Sequence, residues 1–296
     1  MSGFLGSTWR RFVISVPYVW LFLLFLVPFL IVLKISFADP ATAQPPFTPL
    51  FDPGQTGFGG LFITVDNYRY LVQDNLYWLG YLKSLKIALI STGLCLLIGY
   101  PMAYVIARSD SNIRYLLLLL VVVPFWTSFL LRVYAWIGLL QTGGLVNDSL
   151  MAMGIIEQPL KLLYTDFAVY LGIIYSYLPF MILPLYASLE RLDIRLEEAA
   201  ADLGASPLRI FTDVTLPLSV PGIVAGCLLV FIPALGEFVI PSLLGGLDSL
   251  MIGRQLYEEF FGNRDWPVAS AVAVILLLIL VLPIVLFQRT RVQEGG

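Results

Sequence analysis

The feature that most constrains this chain is a succession of apolar runs, each long enough to cross a lipid bilayer. The first extends from about Phe12 to Leu33, and at about 1.5 Å per helical residue it covers a hydrocarbon core of roughly 30 Å. Six spans are predicted, at about 12–36, 81–107, 115–140, 167–189, 218–243 and 268–287. With 59% hydrophobic and 12% charged residues, the chain lacks the surface of a soluble fold. We therefore expect an all-α membrane protein.

An even number of spans places both ends of the chain on one side of the membrane, and the positive-inside rule identifies that side as cytoplasmic. The arginines on the side of the termini lie mostly in short connections, and they are Arg10, Arg11, Arg108, Arg114, Arg191, Arg195, Arg209, Arg289 and Arg291. This predicts a cytoplasmic N-terminus at 1–11, a transmembrane domain at 12–290 and a cytoplasmic tail at 291–296. A signal peptide is the alternative for the first run, because Ala41-Thr42-Ala43 is similar to a cleavage site. That run is longer than the usual 7 to 15 residues or so.

Composition also excludes several kinds of chemistry. Histidine is absent, and Cys95 and Cys227 lie far apart inside apolar segments. This excludes zinc-ligand spacing and a histidine-based triad, so neither a metal site nor a resident cofactor is expected. No G-x-x-x-x-G-K-[ST] phosphate loop is present, so the chain lacks this means of hydrolysing ATP itself. The net charge of −3 offers no basic patch for nucleic acid. We expect a membrane protein in contact with lipid, not an enzyme.

A charged, alanine-rich stretch at 192–217 interrupts the apolar pattern between the fourth and fifth spans. Asp193 is suited to cap a first short helix, and Gly204 to end it in a left-handed conformation. Ser206 and Pro207 are suited to begin a second helix. Apolar residues recur at helical spacing on one face of the first helix, at Leu192, Leu196, Ala199, Ala200 and Leu203. We predict a structured cytoplasmic hairpin that is built for docking.

The pattern Glu198-Ala199-Ala200, three residues, Gly204, nine residues and Val214-Thr215-Leu216-Pro217 resembles the EAA loop of ABC-importer permease subunits. Val214 stands where that family usually has isoleucine. The resemblance implies that the hairpin forms coupling helices that sit in a cleft of the cytosolic ATPase subunit, with Glu198, Ala199, Ala200 and Gly204 in that role. For the tripeptide alone, an ordinary amphipathic surface helix is the alternative, because Glu and Ala are good helix formers.

Longer stretches narrow the resemblance to the inner-membrane permeases of bacterial polyamine importers, particularly the putrescine type. They are PFWTSFLLRVYAW from Pro124, VYLGIIYSYLPFMILPLY from Val169, GEFVIPSLLGG from Gly236 and SLMIGRQLYEEFFGNRDWPVASA from Ser249. The resemblance implies the six-span type I ABC-importer permease fold. It also implies a heterodimer with a second, related permease, two ATPase subunits that bind ATP, and a periplasmic polyamine-binding protein. Spermidine remains an alternative substrate.

Two ionisable residues lie inside the predicted spans, Arg132 in the third and Glu237 in the fifth. Counting about 1.5 Å per residue from the cytoplasmic ends puts them at roughly 26 Å and 29 Å, so they share a level in the outer third. The fifth span also carries three prolines, with Pro217 directly before it, and a G-x-x-x-G pattern at Gly222 and Gly226. These features are typical of broken, closely packed helices that line a cavity. Three interpretations stay open for Glu237: an ion pair with Arg132, a carboxylate that meets a cationic substrate, or a carboxylate solvated at the end of a loop.

Aromatic side chains near the same path could attract ammonium groups through their ring faces. Trp126, Tyr175 and Tyr177 are the deeper candidates for the substrate path, whereas aromatic residues at span ends, such as Trp136 and Tyr170, suit an interfacial role. Acidic loop residues on the outer side suit docking of a binding protein, attraction of a polycation, or plain solvation. These residues are Asp248, Glu258, Glu259 and Asp265.

Other classes of membrane protein remain as alternatives. A secondary transporter driven by ions would need internal repeats and carboxylates near the midplane, and Glu237 lies outside the midplane. A membrane anchor or sensor would not explain the proline-broken span. Within ABC importers, a sulfate-like anion is the alternative substrate class, and Arg132 is the one feature that supports it.

Overall fold

The computed structural model describes residues 7–49, 63–246 and 249–294, with side chains described at 13–49, 63–246 and 249–281. Apart from one isolated bridge between Pro40 and Phe47, the regular elements of this part are helical, which confirms the expected all-α class. They are α1 (Ser7–Leu21), α2 (Val27–Ile35), α3 (Asp66–Gln73), α4 (Asn75–Arg108), α5 (Ser111–Val122), α6 (Phe129–Leu140), α7 (Leu145–Ala152), α8 (Asp166–Glu190), α9 (Ile194–Asp202), α10 (Pro207–Ile210), α11 (Leu216–Leu235), α12 (Val239–Leu244), α13 (Ile252–Tyr257) and α14 (Trp266–Glu294). Short π-helical segments at Phe22–Leu26, Phe211–Thr215 and Glu258–Asn263 adjoin them.

Helices of membrane-spanning length and composition recur along the described chain. Five runs qualify, at Val13–Ile35, Asn75–Arg108, Phe129–Ala152, Asp166–Glu190 and Pro207–Leu235. Two shorter apolar helices, Ser111–Trp126 and Trp266–Val281, accompany them. The lengths fit a multi-pass membrane protein, and the short helix α3 lies between the first two runs.

The third predicted span, 115–140, is interrupted. α5 ends at Val122, a 3₁₀ turn covers Val123–Trp126, and α6 begins only at Phe129. Pro124 has no N–H to continue a helical ladder, and the hydroxyl of Thr127 donates to the Pro124 carbonyl at 2.8 Å. An apolar run therefore contains a corner that places Phe125 and Phe129 on separate elements.

The described chain separates into two compact units, Met1–Trp78 with Gln255–Gly296, and Leu79–Arg254. In the first unit, α14 packs against α2 and α3. Asn67, which lies in α3, fixes the end of α2 through hydrogen bonds from its side-chain amide to the carbonyls of Ser36 and Ala38, at 3.0 and 2.8 Å. This side chain is buried, so it holds the segment that follows α2 against α3.

In the second unit, α8 and α11 form the closest helix pair. A Cβ atom at Gly222 would lie 2.5 Å from the Cβ of Ser188, and one at Gly226 would lie 2.7 Å from the Sδ of Met181. Both distances are too short for a side chain, so the two glycines permit the approach of the backbones. The G-x-x-x-G pattern thus has the close-packing role expected from the sequence. The apolar core of this unit is completed by α4 and α5.

Candidate functional site

Glu237 lies at a break in the fifth predicted span, between the end of α11 at Leu235 and the start of α12 at Val239. Only 7% of the residue is exposed. Its Oε1 atom accepts the backbone N–H groups of Phe238, Val239 and Ile240 at 3.1, 2.9 and 3.3 Å. The carboxylate therefore satisfies the first backbone donors of α12.

The second carboxylate oxygen of Glu237 accepts the hydroxyl of Tyr177, which reaches across from α8. An ionised carboxylate has about four acceptor positions, and this oxygen uses one of its share here. Tyr177 and Glu237, two of the residues predicted for the substrate path, are thus in direct contact. Oε2 retains capacity for one further donor.

Arg132 does not form an ion pair with Glu237 within the described part of the chain. Its guanidinium lies over two rings instead, 5.1 Å from the centroid of Phe125 and 5.8 Å from that of Phe129. The Nε and Nη1 atoms are buried and have no hydrogen-bond partner among the described residues. The structure thus differs from the ion-pair interpretation, because the helix terminus and Tyr177 satisfy Glu237 while the aromatic rings hold Arg132.

Both charged residues nevertheless line one cavity of about 440 Å³, which agrees with the common level estimated for them from the sequence. Four phenylalanines and Tyr177 supply its aromatic wall, and the phenylalanines are Phe125, Phe129, Phe180 and Phe238. The Phe180 ring is in contact with Phe125 at 5.1 Å and with Tyr177 at 6.1 Å between centroids. Sequence reasoning missed the four phenylalanines, although their place in the same segments as Arg132, Tyr177 and Glu237 was the available signal.

The other aromatic candidates lie elsewhere. Trp126 is 76% exposed and does not line this cavity. Tyr175 packs edge-on against Trp136 at 5.5 Å and borders a separate, apolar cavity between α4, α5 and α8. The turn at Thr127 separates Trp126 from Tyr177, and the helical phase of α8 separates Tyr175 from Tyr177. Neither separation could be predicted from the bounds of the spans alone.

The hairpin at 192–217 has the local geometry that the sequence predicts. The side chain of Asp193 accepts the N–H of Arg195 at 3.0 Å, and Gly204 takes a left-handed φ of +82°. Pro207 is the first residue of α10, but Ser206 makes no capping hydrogen bond. The first helix of the hairpin, α9, has no buried residue.

The outward face of this hairpin is apolar and unusually exposed. Leu203 is 90% exposed and Leu208 73%, with Ile194 and Leu196 near one half. Glu198, Ala199 and Gly204 are also exposed, and Ala200 is half-buried. Several exposed large apolar side chains on one hairpin favour an interaction role for it.

Glu197 is a residue that sequence reasoning missed. Its side chain points back to the helices, where Oε1 lies 2.5 Å from Nη2 of Arg108 and 2.8 Å from the hydroxyl of Thr215. Glu198, the next residue, points outward. Two adjacent glutamates thus have different surroundings, and only the phase of α9 distinguishes them.

The acidic residues that were predicted to lie in outer loops divide into two kinds. Glu259 accepts the Tyr77 hydroxyl at 2.7 Å and an amide N–H of Asn263 at 2.9 Å, so it is engaged internally. Asp265 accepts the N–H of Val268 at 3.0 Å, and burial raises the pKa of its carboxyl. Glu258 is exposed, and the predicted residue Asp248 lies outside the described residues.

A protein-family comparison identifies the class to which these features belong. The model described as "Binding-protein-dependent transport system inner membrane component" matches residues 2–290. The chain belongs to this permease family. Members are multi-pass inner-membrane components of ABC importers and not enzymes, because ATP hydrolysis is carried by a separate subunit.

Individual relatives of the chain are also permeases. The chain is 41% identical over 287 residues to the spermidine/putrescine transport system permease protein PotB of Haemophilus influenzae, and the match covers 97% of this chain and 96% of that protein. It is 40% identical over 283 residues to PotB of Salmonella typhimurium strain LT2, covering 96% and 94%. The crystal structure of a bacterial ABC transporter for the acidic polysaccharide alginate contains a chain of the same fold, with a TM-score of 0.69, 21% identity and coverage of 99% and 98%. The expected ABC-importer permease fold is confirmed.

Proposed function

We propose that this permease carries a polyamine across the bacterial inner membrane, with putrescine as the first substrate to test and spermidine as the alternative. The observation that carries the proposal is Glu237, a buried carboxylate with acceptor capacity to spare, on the wall of an aromatic cavity. The PotB relatives, whose names specify spermidine and putrescine, support the same substrate class.

The cavity has the two features that an alkyl ammonium needs. An ammonium group has three donors and no acceptor, so the Oε2 atom of Glu237 suits it. The ring faces of Phe125 and Phe129 are occupied by the guanidinium of Arg132, so the carboxylate of Glu237 is the group that binds the ammonium. The methylene chain of a diamine would contact the remaining apolar wall. A polyamine therefore matches the charge and the apolar surface of the site together.

The proposed assembly follows the family. It contains a second homologous permease, two ATPase subunits and a periplasmic polyamine-binding protein, with both termini of this chain in the cytoplasm. The hairpin at 192–217 is proposed to contact the ATPase through Glu198, Ala199, Ala200 and Gly204. The exposed side chains of Leu203 and Leu208 support this role, because their transfer from water into a contact with a partner protein is favourable.

The experiment is uptake by the assembled complex in proteoliposomes that contain ATP. The uptake of labelled putrescine, spermidine and sulfate is compared. Each compound is supplied together with the periplasmic binding protein of this transport system. We expect ATP-dependent accumulation of putrescine or spermidine and none of sulfate. Accumulation without ATP would contradict the ABC mechanism, and accumulation of sulfate alone would contradict the polyamine assignment.

A sulfate-like anion is the second candidate, since Arg132 lines the cavity with two unsatisfied donors. Guanidinium donors match an oxyanion well. However, an anion in this cavity would also face the carboxylate of Glu237. The uptake comparison above distinguishes the two substrates directly.

A further inference from the structure

Glu197 joins three separate elements at the cytoplasmic end of the second unit. It belongs to α9, and its Oε1 atom binds both Arg108, the last residue of α4, and Thr215, the last residue before α11. The side chains of Glu197 and Arg108 are 18% and 19% exposed, and Thr215 is buried. The Arg108 guanidinium also lies 5.6 Å from the ring centroid of Tyr104. This contact is partly shielded from water, unlike an ordinary surface ion pair.

The rest of α9 makes little contact with the body of the unit. No residue of α9 is buried, and within the described chain no other α9 side chain forms a hydrogen bond or ion pair. A movement of α9 is therefore passed on by its chain connections and by Glu197. The neighbouring contacts lie on the segment after Gly204, where Phe211 packs edge-on against Tyr100 at 5.6 Å.

Both partners of Glu197 lead into the helical core. The turns that precede Arg108 in α4 include Ala103 and Ile106, which are buried in the core of the unit. Thr215 leads directly into α11, whose 20 residues extend about 30 Å at about 1.5 Å per residue and end just before Glu237. A displacement at Glu197 would thus act on the two helices at once, one of which reaches the candidate substrate cavity.

We propose that Glu197 is the positioning residue that transmits movement of the coupling hairpin to α4 and α11. In this division of roles, Glu198 and the exposed apolar face contact the ATPase, while Glu197 holds the hairpin to the transmembrane helices. The inference rests on the proposed coupling function of the hairpin. It predicts that loss of the Glu197 contacts separates ATP hydrolysis from transport without releasing the ATPase subunit.

The test uses the complete complex with its binding protein in proteoliposomes and measures labelled polyamine imported per ATP hydrolysed. Glu197→Gln removes the charge while it retains the size, and Thr215→Val removes the hydroxyl that donates to Glu197 and to the Ile210 carbonyl. The pair Arg108→Glu with Glu197→Arg restores the ion pair in reverse. Arg114→Gln is the control for a disturbance at the same end of α4, because Arg114 pairs with Glu190 at 2.8 Å and donates to the carbonyls of Ala107 and Ser109 without contacting the hairpin.

Couplings between sites in proteins typically amount to about 5-fold to 150-fold, so we expect Glu197→Gln to lower the import ratio at least about fivefold. Thr215→Val should lower it less, the reversed pair should recover it to within about twofold of the parent, and Arg114→Gln should leave it unchanged. Co-purification of the ATPase should be normal in all of them. An unchanged ratio in Glu197→Gln overturns the inference.

Two other results also overturn it. If Glu197→Gln releases the ATPase or lowers the amount of complex in the membrane, Glu197 is a docking or folding residue. If Arg114→Gln lowers the ratio equally, any ion pair at this end of the helices has the same effect. Leu203→Asp tests the underlying coupling assignment separately: normal ATPase co-purification in that variant contradicts the assignment itself, whatever Glu197 does.

Discussion

Replacement of Glu237 by glutamine separates the charge of this side chain from its shape. Glutamine keeps a carbonyl oxygen for the three N–H groups at the start of α12 but loses the negative charge that Tyr177 and a substrate cation meet. A hydrogen bond to a charged group contributes about 1.5 to 3 kcal/mol, against about 0.5 to 1.5 for a neutral pair. We expect Glu237→Gln to lower the stability of the protein by about 1 kcal/mol.

The effect on transport should be larger. A carboxylate and an ammonium about 4 Å apart gain about 4 kcal/mol at an effective dielectric constant of about 20. If the glutamine dipole retains half of this, the loss is about 2 kcal/mol, which corresponds to about a 30-fold change in affinity. The concentration of putrescine required for half-maximal uptake and for half-maximal stimulated ATP hydrolysis should therefore rise by roughly that factor.

The double variant with Arg132→Gln distinguishes this account from the ion-pair alternative. Because the two residues are not paired in the structure, the second change should restore neither the stability nor the uptake that Glu237→Gln loses. Uptake and thermal unfolding are measured for both single variants and the double variant. Rescue by the double variant, or an unchanged half-saturation in Glu237→Gln, would refute the substrate role of Glu237.

Three further changes test the hairpin and the helix packing. Gly204→Val should leave the protein in the membrane but abolish uptake, because a β-branched residue at φ +82° is strained by about 1 to 2 kcal/mol. Gly204→Asn, which tolerates this backbone, should retain more uptake. Full transport by the valine variant would contradict the coupling role. Glu198→Lys should weaken ATPase co-purification and leave delivery by the binding protein unaltered; a shift in substrate affinity alone would contradict this. Gly226→Leu should lower the stability by about 1 to 3 kcal/mol through collision with Met181, whereas Gly93→Leu, where a Cβ meets nothing within 4 Å, should melt like the parent.

The hairpin could be predicted in detail because its conformation is decided locally. Asp193 as a cap and Gly204 in the left-handed region depend on nearby backbone groups alone, and both are found in the structure. The direction of Glu197 could not be predicted in the same way, since two adjacent glutamates have identical chemistry. Only the tertiary position of Arg108 and Thr215 assigns Glu197 to the inner face.

The candidate cavity shows a similar limit. Depth counting placed Arg132 and Glu237 at one level, and both do line one cavity. The partners of Glu237 and Arg132 could not be predicted from residue spacing, because these partners lie where helices break. The carboxylate of Glu237 accepts N–H groups at the start of α12, and the guanidinium of Arg132 lies over rings on either side of the corner at Thr127.

Mapping the bound substrate tests the central proposal most directly. A diamine analogue with a photoreactive azide is delivered by the binding protein to the complete complex, irradiated during turnover, and located by peptide mass spectrometry. We predict labels on the segments 125–132, 176–180 and 236–239 that line the cavity, and competition by unlabelled putrescine. Competed labels on this chain that lie only outside these segments would contradict the account.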